Sequence, residues 1–154
     1  MKITILTLFP EMFDSYLSNS IIKRAIAKEI VSFNIVNIRD YTLDKHHRVD
    51  NPPYGGGAGL IMMCQPVIDA LKANITDNAK TFLTSPKGST FNQEKALSLA
   101  KEEHLIFICG HYEGLDERIS DYVDESMSIG DFVLTGGEIP VMAMTDAIIR
   151  LIPS

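Results

Sequence analysis

Residues 81–110, TFLTSPKGSTFNQEKALSLAKEEHLIFICG, decide the fold class. The segment opens on a short apolar run, Thr81 to Thr84, bounded by the turn Ser85-Pro86-Lys87-Gly88. Asn92 is placed to cap a helix running to Glu102, with Glu94 set against the helix dipole and Ala96, Leu97 and Ala100 facing inward. A second apolar run, Leu105 to Cys109, ends at Gly110. Short apolar runs closed by Pro, Gly or polar residues read as buried strands. Strands that alternate with helices imply a mainly parallel sheet flanked by helices, an α/β fold.

The same alternation extends outward. Ile3 to Phe9 and Val31 to Ile38 are further strand candidates. Between them, Ser20 to Lys28 carries Ile21, Ile22, Ala25 and Ile26 on one side and Lys23, Arg24 and Lys28 on the other. Pro66 suits the first turn of a helix reaching Ala73. Ile139 to Ile152 is apolar but short and interrupted by Thr145, Asp146 and Arg150, whereas a membrane span needs ~20 residues. It reads as a buried or interface helix. The first residues, MKITILTLFP, lack a signal-peptide pattern, which predicts a cytoplasmic protein with no membrane partner.

The whole chain has 154 residues, 45% of them hydrophobic, with 14 Lys+Arg against 20 Asp+Glu and a net charge of −6. This is enough apolar material for one domain with a real core, and it excludes a disordered or fibrous chain. The acidity argues at first sight against nucleic acid. Its distribution answers that objection. Residues 1–77 hold 8 basic and 8 acidic residues, and residues 78–154 hold 6 and 12, so the whole surplus is C-terminal. Residues 20–50 hold six basic residues, four acids and two histidines, a basic edge compatible with RNA because charge is screened over ~10 Å. Cys64 and Cys109 show no metal spacing and read as buried reduced thiols. Histidines 46, 47, 104 and 111 form no ligand set either, with His104 expected on the exterior before its strand.

Two stretches depart from the alternation: residues 39–64, RDYTLDKHHRVDNPPYGGGAGLIMMC, and residues 110–140, GHYEGLDERISDYVDESMSIGDFVLTGGEIP. Long connections in compact domains are usually functional. Gly55, Gly56, Gly57 and Gly59 match neither a P-loop nor a dinucleotide fingerprint. They read as a mobile lid, as main chain approaching an RNA phosphate, or as a simple flexible turn. Three turns at strand ends, 84–88, 110–114 and 128–134, stand where ligands bind in α/β sheets. Their glycines would expose main-chain groups to a ligand's adenine edge, and Ile129, Phe132 and Leu134 could sandwich its ring. Arg150 is the one charge late in the apolar helix, open to a subunit-interface salt bridge or a substrate role.

Together, ILTLFPEMF, RDYTLDKHHRVDNPPYGGGAGLIM, SPKG, CGHYEGLDERI and SIGDFVLTGGEIP, in this order over essentially the whole chain, resemble the bacterial tRNA (guanine-N1)-methyltransferases, which modify the guanosine 3′ of the anticodon. The resemblance implies a C-terminal trefoil knot of the SPOUT type, which general topology rules argue against, and a homodimer that binds S-adenosyl-L-methionine in the knot. By motif, the cofactor residues would be Thr84, Ser85, Pro86, Gly110, Tyr112, Glu113, Ser128, Ile129, Gly130, Asp131, Phe132, Val133, Leu134, Gly136, Gly137 and Pro140. Arg150 would be catalytic at the target guanine, and Asp50, Tyr54, Gly55, Gly56 and Gly57 would lie near the RNA. A Mg²⁺ requirement is suggested by the family, but no metal ligand is readable from spacing. Departures are GGGAGL where many relatives have GGGPGM, and His111 where many have Arg. Relatives continue through a linker carrying the proposed aspartate base into a helical tRNA-binding domain. Residues 1–154 therefore read as a truncated chain, competent for cofactor binding, with little or no methyl transfer. The alternatives are a cofactor-binding dimerisation module without RNA affinity, or a generic nucleotide-binding domain.

Overall fold

The computed structural model describes every residue except Tyr54, Gly57, Ala58, Tyr112, Glu113 and Ser154. Its elements in chain order are β1 (Lys2–Thr7), α1 (Asp14–Leu17), α2 (Ser20–Ala27), β2 (Ser32–Asn37), β3 (Asp50–Asn51), β4 (Ile61–Met62), α3 (Cys64–Asn74), β5 (Ala79–Thr90), α4 (Gln93–Leu99), β6 (His104–Ile108), β7 (Glu125–Ser128) and α5 (Glu138–Ile149). Five strands form one sheet in the order β2-β1-β6-β5-β7, every pair parallel. The mainly parallel α/β architecture expected from the sequence is the one observed.

Period-two alternation along the central strands divides the core. Ile3, Ile5, Phe82, Leu105 and Phe107 pack on one face with Ile22 and Ala25 of α2, Ala96 and Leu99 of α4, and Val141, Met144 and Ile148 of α5. Leu6, Leu83, Ile106 and Ile108 pack on the other with Val67, Ile68 and Leu71 of α3. A strand covered on both faces has no solvent side, which is why β6 reads His-Leu-Ile-Phe-Ile with all five residues buried. Asn92 caps α4 as its position predicts, its Oδ1 accepting from Lys95 N at 2.8 Å.

Several expectations need correction. Ile21 is 62% exposed and Leu97 50%, because each helix meets the sheet along one narrow stripe that its neighbours Ile22, Ala25, Ala96 and Leu99 already fill. Cys64 is half-exposed at the first residue of α3, whereas Cys109 is buried. Residues 39–64, read as one long connection, begin within a 3₁₀ turn, Ile38–Tyr41, and contain the antiparallel β3–β4 ladder. A fifth sheet strand, β7, lies inside the acidic stretch, where its short Glu-Ser-Met-Ser sequence gave no apolar run to find.

His104, expected outside, is 4% exposed and begins β6. Its Nε2 pairs with Thr4 Oγ1 and its Nδ1 with Thr76 Oγ1, both at 2.8 Å. Burial, with help from Lys2, pulls the imidazole below its ordinary value of 6.5. The unfolded chain therefore binds a proton more readily than the folded one. Stability is complete above pH 6.5 and falls as the pH drops below it. The unfolding midpoint should fall between pH 7 and 5 in thermal scans, with a shallower slope in His104→Asn. Equal slopes in the two proteins would remove His104 from the transition.

Candidate functional site

The carboxyl ends of β5, β6 and β7 converge at one edge of the sheet. There the chain leaves β5 after Thr84 and returns to it at Ser89: Thr84 and Ser89 both face Met127 of β7, so residues 85–88 are looped out. Gly88 makes the return possible, since a Cβ on it would lie 2.5 Å from Met127 N and from Ser126 C. Thr84 Oγ1 donates to Ile108 O at 3.2 Å and accepts from Gly110 N at 2.8 Å. Gly110 O in turn accepts from Gly137 N at 2.9 Å. A Cβ on Gly137 would sit 2.1 Å from Thr84 Oγ1 and 2.7 Å from Gly110 N. Three segments far apart in sequence thus meet through the Thr84 hydroxyl and the main chain of Gly110 and Gly137.

Around this junction opens a cavity of about 710 Å³, within the ordinary range for a small-molecule site. Of the predicted cofactor residues, Thr84, Ser85, Pro86, Ser128, Ile129, Phe132, Val133, Leu134, Gly136, Gly137 and Pro140 line it. Gly110, Gly130 and the exposed Asp131 do not line it. Gly110 acts through its contacts with Thr84 and Gly137, and Gly130 lies under the Phe132 ring, where a Cβ would come 2.5 Å from Phe132 Cε1. Ser128 Oγ holds the turn by donating to Gly130 O at 2.8 Å. Tyr112 and Glu113 lie outside the described residues.

The lining also includes Ile61, Lys87, His111, Leu115 and Glu117, which the sequence had not assigned to it. Lys87 belonged to the same turn as Ser85 and Pro86 and was within reach of that reading. Ile61 was not, because it arrives from the β3–β4 ladder. That ladder docks on the 110–116 turn through Met62 N to Gly114 O (3.2 Å) and Asp116 N to Met62 O (2.9 Å). The RNA-side candidates follow from this docking: Asp50 is half-buried in β3, and Gly55 and Gly56 have positive φ of 79° and 89° with nothing within 4 Å of a built Cβ. Tyr54 and Gly57 lie outside the described residues.

The neighbouring loops are ordered by their charges. Asp44 accepts from His46 N, Arg48 N and the Arg48 guanidinium, and Arg48 holds its carboxyl well below the usual carboxylate range. Arg39 donates to His47 O at 2.8 Å. The hydrogen-bonded Arg118 guanidinium likewise pulls the Asp116 carboxyl down. Burial pushes the Glu125 carboxyl up, but Lys95 and Ser89 outweigh it and leave it lowered. Among the described residues no group of three or more His, Cys, Asp or Glu is placed to hold a metal ion, and no helix is long and apolar enough to cross a membrane.

Arg150 stands apart. It is exposed, caps the C-terminal end of α5, and does not line the cavity. Pro140, at the other end of the helix, does line it. Ten residues of α-helix separate the two by ~15 Å. The apolar helix buries Val141, Met144, Ile148 and Ile149 and leaves the Arg150 side chain, just past its end, on the surface.

A family model described as tRNA (Guanine-1)-methyltransferase TrmD matches residues 1–154. The chain is 58% identical over 153 residues to a tRNA (guanine-N(1)-)-methyltransferase of Clostridium botulinum strain Hall, a match covering 99% of this chain and 63% of that protein. With the proteins of the same name from Carboxydothermus hydrogenoformans and Staphylococcus haemolyticus the identities are 55% over 154 residues and 56% over 155, covering 99% of this chain and 61% and 63% of those proteins. The chain thus spans about three fifths of the length of these relatives.

The junction predicts its own weak point. Gly137→Ala forces a methyl group against Thr84 Oγ1 and the Cys109–Gly110 backbone, and costs upward of about 3 kcal/mol in urea denaturation because the backbone cannot swing aside as a flexible side chain would. Gly55→Ala, in open space but at positive φ, costs about 1 kcal/mol. Equal midpoints for the two variants would show that the close approach does not constrain the fold.

Proposed function

The chain belongs to the tRNA (guanine-1)-methyltransferase family, and on that premise we propose that residues 1–154 form an S-adenosyl-L-methionine-binding domain of the SPOUT type, knotted and homodimeric, that serves methyl transfer to N1 of the guanosine 3′ of the anticodon in cytoplasmic tRNA. The observation that carries the reading is the convergence of the three strand-end turns on one cavity. The excursion of residues 85–88 out of β5, with the 128–137 segment packed against Thr84 and Gly110, supports the knot.

The lining fits the cofactor. Ile129, Phe132, Leu134 and Pro140 form an apolar wall suited to a flat ring, while the hydroxyls of Thr84, Ser85 and Ser128 offer polar anchors. Gly136 and Gly137 leave main chain, without side chains, along one edge. Glu117 and Lys87 bring one acid and one base to the lining, which suits a ligand carrying both charges. Bound there, S-adenosyl-L-methionine supplies an electrophilic methyl group.

The residues of this chain then have three tasks. The cavity fixes the direction in which the methyl faces, and positioning of that kind is a large share of the rate in a group transfer. The β3–β4 ladder, docked on Gly114 and Asp116, supports a role for Asp50, Gly55 and Gly56 in meeting the RNA, where bare main chain can approach a phosphate backbone closely. The guanidinium of Arg150 stabilises the negative charge that develops on the guanine carbonyl oxygen as N1 loses its proton to a carboxylate base. Because α5 carries Arg150 ~15 Å from Pro140, the arginine that serves a cavity is, on this reading, supplied by the second copy of the homodimer.

Calorimetry with S-adenosylhomocysteine tests the cofactor reading directly: saturable 1:1 heat is expected, and its absence would overturn the reading. Gly130→Val should weaken that binding by about tenfold or more by pushing the Phe132 ring into the cavity. Arg150→Ala should leave it within about twofold while lowering single-turnover methylation by the full-length protein by about a hundredfold, the cost of one charge-stabilising donor. Lost cofactor binding in Arg150→Ala would instead place the arginine at the cofactor.

A further inference from the structure

Glu138, the first residue of α5, is 5% exposed. Charge is expensive to bury without partners, so its surroundings are informative. Its Oε2 accepts from Thr7 Oγ1 at 2.7 Å, and that same hydroxyl oxygen accepts from Phe9 N at 3.0 Å. A hydroxyl has one proton, so the Phe9 contact leaves the Thr7 proton aimed at the carboxylate. Thr7, the last residue of β1, is itself fully buried. The other oxygen, Oε1, lies 2.6 Å from where a Cβ on Gly136 would stand, so the carboxylate fills the space that a side chain at position 136 would need. The buried Cys109 thiol lies alongside; burial first, and the Glu138 carboxylate second, push it well above its ordinary value.

Gly136 is the wall that this carboxylate supports. It lines the large cavity on one side and a second cavity of about 250 Å³ on the other, and it forms an isolated antiparallel bridge with His111. Glu138 lines only the second cavity. It therefore stands behind the wall and outside the space where the cofactor is proposed to sit.

We propose that Glu138 is a positioning residue for cofactor binding: held by Thr7 from β1, its carboxylate sets the place of Gly136 and with it the shape of the glycine wall. The inference rests on the cofactor reading above. It assigns a task to a buried charge that methyl transfer itself does not use.

A double-mutant cycle on the whole chain, read by calorimetry with S-adenosylhomocysteine and by thermal unfolding, tests it. Glu138→Ala should weaken binding about tenfold, and Gly136→Ala by a similar factor, while in the Glu138→Ala background Gly136→Ala should cost less than about threefold because the vacated space accepts the methyl group. Glu138→Gln keeps the volume and an oxygen that accepts from Thr7, and should restore binding to within about threefold of the parent. Should Glu138→Ala not fold, Glu138→Asp, which withdraws the carboxylate by one methylene, takes its place in the cycle. Additive losses, or parent-like affinity in the truncated variant, would overturn the positioning role while leaving the cofactor reading intact. A parent chain that binds no S-adenosylhomocysteine would remove the cofactor reading and this inference with it.

Discussion

The fold and its cavity depend on one close contact, that between Thr84, Gly110 and Gly137. The Thr84 hydroxyl donates to the end of β6 and accepts from the amide of Gly110, and the Gly110 carbonyl takes the amide of Gly137. No side chain fits at Gly137, where even a Cβ would overlap the Thr84 hydroxyl. The contact joins the exits of two neighbouring parallel strands to the start of α5, whose apolar face then closes the core over Ile3, Ile5 and Phe107. Because protein interiors are close-packed, a shift of this junction would be transmitted to the cavity wall and to the helix together. Cavity and core are in this sense a single construction.

Electrostatics shape the molecule at a different scale. The net charge of −6 resides in the C-terminal half, and several of those acids are engaged locally: Asp116 with Arg118, Glu125 with Lys95 and Ser89, Asp124 with Thr81, Glu138 with Thr7. The N-terminal half carries a balanced charge, and its loop at 44–48 is held by Asp44 in a form that leaves Lys45, His46 and His47 exposed. An acidic chain can thus present a basic edge, since exposed charges separated by more than a Debye length act almost independently.

Much of the architecture was legible in local patterns. The apolar runs around Ile3, Phe33, Phe82 and Ile106 marked four of the five sheet strands, because a strand buried on both faces leaves a continuous apolar signature. Asn92 announced its helix, because a cap is a contact between residues three apart. The short β7 escaped notice because Glu125, Ser126 and Ser128 carry no such signature; main-chain pairing with β5 makes it a strand. His104 was misplaced for a related reason. Its burial comes from Thr4 and Thr76, which lie 100 and 28 residues away in sequence.

By itself the sequence determined the α/β class, the identity of the turns that meet at the cavity and, through five ordered motifs, the family. These properties are written in spacings of a few residues, where helix and strand periods and turn requirements act. The tertiary structure alone decided that Thr84, Gly110 and Gly137 touch, that Ile61 and Glu117 complete the cavity lining, that Glu138 is buried behind Gly136, and that Arg150 ends a helix pointing away from the site. Such contacts depend on the path of the backbone between distant residues. No local period encodes that path; it is set by the simultaneous packing of both faces of the sheet.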